Sequence, residues 1–366
     1  MTEPEPLQQI ERTCVRFRNR KLSYFSGCDY FRLASDPEVM GALESGLRKF
    51  GLNVAASRLT TGNHAFYSQL ELALAHFFDV ESVLLTAGGY ITNLVVCQAF
   101  AGKFSHALID ERAHPSLVDA SRFLDCPVLK FRHQDILDFE RSVKRCGPGA
   151  KLLAMTDGMF SHDGSAAPLK EYQRVLPRDA LILVDDAHGA VVLGKTGKGT
   201  LEYAAVSRQR IIQTITLSKA FGTYGGAIAC SKAFRRTIIE RSGLFIGHTP
   251  LPLPLANAAL RSVQILQSDR AIRARLEKNA AFVKTAVGGT RFGGPATPGP
   301  IVSIVPRNSS ETSKLKTALL RAGIFPPLIH YPAGAASGYF RFVISSEHTA
   351  RQLKGLVEVL CRYAAG

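Results

Sequence analysis

The chain has 366 residues, 46% of them apolar, with 31 Gly, 18 Pro and a formal charge of +15 from 45 Lys+Arg against 30 Asp+Glu. That length suits a large core shared between two domains, and no run approaches the ~20 apolar residues that span a bilayer. The basic residues are scattered, in clusters no longer than RFRNRK (16–21) and FRR (234–236), without a helix-turn-helix, zinc-finger or RNP pattern. This argues against nucleic acid as a partner and leaves an anionic small substrate open.

In chain order, MTEPEPLQQIERT (1–13) lacks the apolar stretch of a signal peptide. The seven cysteines (14, 28, 97, 126, 146, 230, 361) form no C-x-x-C pair. Together these predict a cytoplasmic protein without disulfides or structural zinc. Apolar runs then recur: SVLLTA (82–87), HALID (106–110), PVLKF (127–131), LLAM (152–155), ALILV (180–184), RIIQTITL (210–217) and AIAC (227–230). Most are continuous rather than alternating, as in strands buried on both faces of a mainly parallel sheet. Amphipathic stretches such as FYSQLELALAHFF (66–78) and HPSLVDASRFL (114–124) lie between them. The pattern predicts an α/β sheet between helices, with ligands at the carboxyl ends of its strands.

After about residue 240 the texture changes. GHTPLPLP (247–254) leads into a long helical pattern over about 255–286, then IVSIVP (301–306), a helix near 310–322, YFRFVIS (339–345) and a final helix from about 347. The expected organisation is an N-terminal segment (1–45) packing with a small C-terminal α+β domain (241–366), around a large domain at 46–240.

The residues that follow each strand carry the chemistry. GGYITNL (88–94) is a glycine turn entering a helix, whose free amides can hold a phosphate. ERAHPSL (111–117) places His114 at a helix start, and TDGMFSHDGSAAPL (156–169) is a turn-rich loop carrying Ser161 and Asp163. DDAHGAVVLG (185–194) puts two carboxylates and an imidazole at the end of a buried strand, a costly arrangement unless they do work there. Such an acid could face the protonated pyridine nitrogen of pyridoxal 5'-phosphate (PLP). Finally TITLSKAFGTYGG (214–226) sets Lys219 between an apolar run and a glycine-rich turn. Alone, Lys219 reads first as a surface lysine in a loop, with an amine kept for a Schiff base as the sharper alternative.

The ordered set resembles the α-oxoamine synthases, PLP enzymes of the type I aminotransferase fold. The likeness runs from LSYFSGCDYFRLASDPEV (22–39) to YFRFVISSEHT (339–349) and is most specific in DGMFSHDGSAAPL, VDDAHGAVVLG, TLSKAFGTYGG and FRHQD (131–135). It implies the α/β PLP-dependent transferase fold type I: a large domain with a mainly parallel seven-stranded sheet, plus a small C-terminal α+β domain. It implies Lys219 as the Schiff-base lysine, Asp185 on the ring nitrogen, His188 and Ser161 near the ring hydroxyl, and His114 stacked on the ring. Gly88, Gly89, Tyr90, Thr216 and Ser218 would surround the phosphate, with Thr249 reaching the phosphate of a neighbouring subunit in a homodimer. Arg341 would bind the amino-acid carboxylate.

The departures cluster on the acyl side. CDYFRL (28–33) replaces the family's Asn-Asp-Tyr-Leu-Gly-Leu, so Cys28 and Arg32 stand where an asparagine and a glycine are usual. NVAAS (53–57) replaces Gly-Ser-Gly-Gly-Ser, Tyr67 replaces a histidine, and IHYPA (329–333), with His330, replaces an Arg-Pro-Pro segment. The implied reaction is a decarboxylative condensation of a small amino acid, alanine favoured, with an acyl thioester on CoA or acyl-carrier protein. The runners-up are a sister synthase using glycine or another acyl donor, and an aminotransferase or lyase of the same fold.

Overall fold

The computed structural model describes residues 5–294, 296–330 and 338–365. The chain divides into two compact units. The larger comprises Pro37–Phe160 and Ala166–Ser268; the smaller comprises the described residues of Met1–Asp36, Ser161–Ser165 and Asp269–Gly366. Residues 241–268, expected with the C-terminal domain, fall in the larger unit.

The larger unit is built on the expected seven-stranded sheet. Its order is Ser82–Thr86, Gly226–Cys230, Ile211–Thr216, Leu181–Asp185, Leu152–Asp157, His106–Asp110, Val128–Phe131. Gly226–Cys230 runs against both its neighbours; the other five, from Ile211–Thr216 to Val128–Phe131, pair in parallel. Every residue of Leu152–Asp157 and Ile211–Thr216 is buried, so these runs are mainly apolar and show no exposed polar face. The helix Gly89–Ala99 lies close on the sheet. A Cβ at Gly226 would come 2.2 Å from Thr92 Oγ1, so only glycine admits that approach. The consequence for function is geometric: Thr86, Asp110, Asp157, Asp185 and Thr216 all end their strands at one edge of the sheet.

The smaller unit holds an antiparallel meander, Gln8–Glu11, Cys14–Phe17 and Arg20–Ser23, which sequence reasoning did not foresee. It also holds a second sheet in the order Ile301–Ile304, Tyr339–Val343, Leu328–Ile329. Phe25, Val283, Leu315, Phe340, Phe342 and Leu356 form its core. The single helix expected over 255–286 is two, Leu253–Ser268 and Arg270–Gly288. Asp269 divides them by accepting the amide hydrogens of Ala271 (2.9 Å) and Ile272 (3.1 Å), the task of an N-cap. All seven cysteines are free thiols, with Cys97 and Cys230 in the core. Among the described residues no helix is long and apolar enough to cross a membrane.

Candidate active site

The strand ends of the larger unit line a cleft of about 690 Å³, and nine residues singled out from the sequence meet there: Gly88, Gly89, Tyr90, His114, Asp185, His188, Thr216, Ser218 and Lys219. The loop after Ile211–Thr216 is drawn tight by main-chain bonds, Leu217 N–H to Gly225 O (3.0 Å), Thr223 N–H to Leu217 O (2.9 Å) and Gly222 N–H to Lys219 O (2.9 Å). This fixes the backbone of Lys219, whose half-buried amine lies 2.7 Å from His188 Nε2.

The neighbouring acids divide their work. Asp186, fully buried, accepts from Thr200 N–H (2.9 Å), Thr200 Oγ1 (2.6 Å) and Gln213 Nε2 (2.6 Å), and does not line the cleft. Burial pushes its carboxyl up to about 6 against those three bonds. Asp185 faces the cleft and is 7% exposed. Its Oδ1 accepts from Ala187 N–H (3.1 Å), and its Oδ2 accepts from Asn93 Nδ2 (2.7 Å), with Ser116 Oγ at 3.4 Å.

His114 caps the helix Pro115–Ser121 by accepting at Nδ1 from Ser116 N–H (3.2 Å), and its own N–H donates to Asp157 Oδ2 (2.8 Å). Burial holds the His114 imidazole below its ordinary value, the charge of Lys219 adding and that of Asp185 opposing. Asp157 is buried, and burial first, then the charge of Asp185, holds its carboxyl well above the usual range. Tyr90 is half-exposed; its phenol donates to Asp119, and its ring meets that of His114 edge-on at 6.0 Å.

The floor of the cleft suits a flat cationic ring, and its rim suits an anion. A carboxylate bonded to neutral donors can face a ring N–H⁺, and a neutral imidazole offers a stacking face. At the rim, Gly88 caps the helix Gly89–Ala99, and a Cβ at Gly89 would come 2.6 Å from Thr216 Oγ1. Backbone amides there lie open beside a hydroxyl, as a phosphate requires.

The remaining predicted residues are not among those that line this cleft. Ser161 belongs to the smaller unit, and its carbonyl accepts from Arg341 Nη1 (3.2 Å). Arg341 is half-buried on Tyr339–Val343, paired with Ser303. The segment carrying Ser161 is tied down through Lys284, whose amine donates to Thr297 O (2.7 Å), Thr297 Oγ1 (2.8 Å) and Gly299 O. Thr297 Oγ1 and Gly299 N–H in turn donate to the carbonyls of Asp163 and Gly164 (both 2.9 Å).

Cys28 is half-buried in a bend. Arg32 is buried, adopts φ +53° where the family has glycine, and donates to the carbonyls of Tyr24 (3.1 Å) and Ser26 (3.3 Å). That makes it a brace of its own unit. Tyr67 is buried too, donating to Leu251 O (2.7 Å) beneath Arg58. Thr249 is exposed and lines no part of this chain's cleft. His330 is exposed, and residues 331–333 of IHYPA lie outside the described residues.

Sequence reasoning missed Asn93, Ser116, Asp157 and Thr214. Each sits inside one of the strand-end motifs, and only the fold brings Asn93, Ser116 and Asp157 to Asp185 or His114 and Thr214 to Asn93.

A family model described as aminotransferase class I and II matches residues 34–360. The chain belongs to that family. Its relatives place this aminotransferase-family chain among the α-oxoamine synthases. It is 35% identical to the 8-amino-7-oxononanoate synthase of Thioalkalivibrio sulfidiphilus over 95% of this chain and 89% of that one. It is 33% identical to that of Hahella chejuensis, with the same coverage. Among solved structures it resembles a serine palmitoyltransferase from S. paucimobilis with bound PLP and myriocin (TM-score 0.92, 25% identity, 100% and 93% of the chains). It also resembles the 8-amino-7-oxononanoate synthase of Francisella tularensis (TM-score 0.78, 25% identity, 92% and 96%).

Proposed function

We propose that the protein is a cytoplasmic, homodimeric PLP enzyme that condenses alanine with an acyl thioester, as an 8-amino-7-oxononanoate synthase of biotin synthesis. The observation that carries this is the Lys219 amine against His188 beside the buried Asp185, on a family member whose curated relatives bear that name.

In the overall reaction the alanine Cα bonds to the acyl carbon, the thiol leaves, the carboxylate departs as CO₂, and a proton takes its place. PLP, when bound, supplies the electron sink for the pair left on Cα. Lys219 would hold it, Asp185 would keep its ring nitrogen protonated, His114 would cover one ring face, and Gly88, Gly89, Thr216 and Ser218 would hold its phosphate. Ser161 and His188 are assigned to the ring hydroxyl, and Thr249 to the phosphate of the neighbouring subunit. The remaining chemistry belongs to the chain itself. Lys219 Nζ, able to pass a proton to His188 Nε2 at 2.7 Å, is the base that takes the Cα proton and later returns one. Arg341 would orient the alanine carboxylate through two parallel bonds.

Borohydride reduction of the protein loaded with PLP, followed by peptide mass spectrometry, should place the adduct on Lys219, and Lys219→Ala should lose the visible absorbance. An adduct on another lysine overturns the assignment. A second reading, a sister synthase using serine and a long acyl chain, draws on the closer structural match to serine palmitoyltransferase. Turnover of alanine, glycine and serine against a panel of acyl-CoAs decides between them.

A further inference from the structure

Asn93 is fully buried on the helix Gly89–Ala99 and does not line the cleft, yet it is the hub of the polar cluster beneath it. Its Nδ2 lies 2.7 Å from Asp185 Oδ2 and 2.9 Å from Ser116 Oγ; its Oδ1 lies 2.7 Å from Thr214 Oγ1. Turning the amide over would set its oxygen against the Asp185 carboxylate, acceptor on acceptor, so the NH₂ must point at Asp185 and Ser116. Both hydrogens are then used, and the amide oxygen receives the Thr214 hydroxyl hydrogen.

Ser116 Oγ, already accepting from Asn93, has one hydrogen to give. His114 Nδ1 lies at 2.8 Å and Asp185 Oδ2 at 3.4 Å, so the hydrogen goes to the imidazole. His114 Nδ1 is therefore an acceptor, and the neutral ring carries its proton on Nε2. All the bonds run one way, from Thr214 through Asn93 to the two side chains that bracket the ring site.

We propose that Asn93 is a positioning residue: it holds the Asp185 carboxylate in the rotamer that meets the cofactor's ring nitrogen and, through Ser116, selects the tautomer of His114. The proposal rests on the cleft being a PLP site. The charged or titratable groups around it are Asp185 in direct contact, His114 through Ser116, and Asp157, Lys219 and His188 in the cleft.

The test is Asn93→Asp, which keeps the shape and replaces a donor by an acceptor. PLP affinity is measured by absorbance titration of folded apoprotein, with circular dichroism confirming the fold at each pH. At pH 8.5 the new carboxylate faces Asp185 unprotonated, and the expected loss of PLP affinity is about 10²-fold. At pH 6 the new acid holds a proton it can donate to Asp185, and affinity should recover at least about tenfold, while wild type changes less than about threefold. Equal affinity of wild type and variant at both pH values overturns the proposal, as does a loss that pH leaves unchanged. If wild type itself forms no reducible PLP adduct at Lys219, the cofactor reading falls, and this inference with it. A normal wild-type adduct with an indifferent variant removes the inference alone.

Discussion

Replacing each of the adjacent aspartates at the end of Leu181–Asp185 by asparagine separates chemistry from fold. Asp185→Asn keeps the side chain's shape and removes one charge. The native carboxylate is 7% exposed and hydrogen-bonded by neutral groups, the amide of Ala187 and the side chain of Asn93. A cation about 4 Å away gains about 4 kcal/mol from a carboxylate at an effective dielectric near 20. An amide retains a hydrogen bond worth about 1 kcal/mol. The difference, about 3 kcal/mol, corresponds to a roughly 10²-fold fall in kcat. The new amide also has one oxygen where the carboxylate had two, so it cannot serve Ala187 and Asn93 together. Asp186→Asn alters the hydrogen bonds to Thr200 and Gln213 and leaves the cleft lining intact, and its kcat should stay within about threefold of wild type while its melting temperature moves. The assay is thiol release from acyl-CoA with saturating alanine, with PLP content read from the visible band. Near-normal kcat in Asp185→Asn, or equal losses in both folded variants, refutes this division of labour.

Arg341→Ala should raise the alanine concentration needed to perturb the cofactor absorbance by roughly 10²-fold while PLP stays bound, and Arg341→Lys should recover it only in part. Unchanged alanine affinity would leave Arg341 as a brace for the Ser161 carbonyl. Because Asp186 is raised from 3.8 to about 6 in the fold, the native state holds a proton that the unfolded chain releases. Wild-type stability should therefore fall by about 3 kcal/mol relative to Asp186→Asn as pH rises from about 4 to about 6, at 1.36 kcal/mol per pKa unit. Urea titrations of both proteins across that range check it, and a constant difference between them contradicts it. Lastly, mixing inactive Lys219→Ala chains with an inactive Thr249→Trp variant should restore partial activity if sites borrow from a second subunit. Full activity from a dilute monomer rules that out.

The sheet was legible in the residues alone, because strands buried on both faces run mainly apolar, and LLAM, ALILV and RIIQTITL are short, mostly apolar runs set between turn signals. The residues also determined the candidates for cofactor chemistry, since glycine turns, histidines, paired acids and a lysine at strand ends are legible one motif at a time. The helix break at Asp269 was legible too, as an acid two residues before the amide it caps, but the apolar period on either side concealed it. The meander at 8–23 was hidden for the opposite reason: four-residue strands with exposed faces carry almost no periodicity. Direction and partnership enter only with the packed chain. Asp185 and Asp186 are identical as residue types, and only the family resemblance separates them in the sequence; successive side chains of an extended chain point to opposite sides, and the packing of Thr200 and Gln213 shows that the fold consumes Asp186. Arg32 is legible in the sequence only as a departure on the acyl side, and only the fold places its guanidinium on two main-chain carbonyls. Asn93 and Asp185 are far apart in the chain and 2.7 Å apart in space. A hydrogen bond has no periodicity for a sequence to display; it exists only once the sheet has brought the strand ends together.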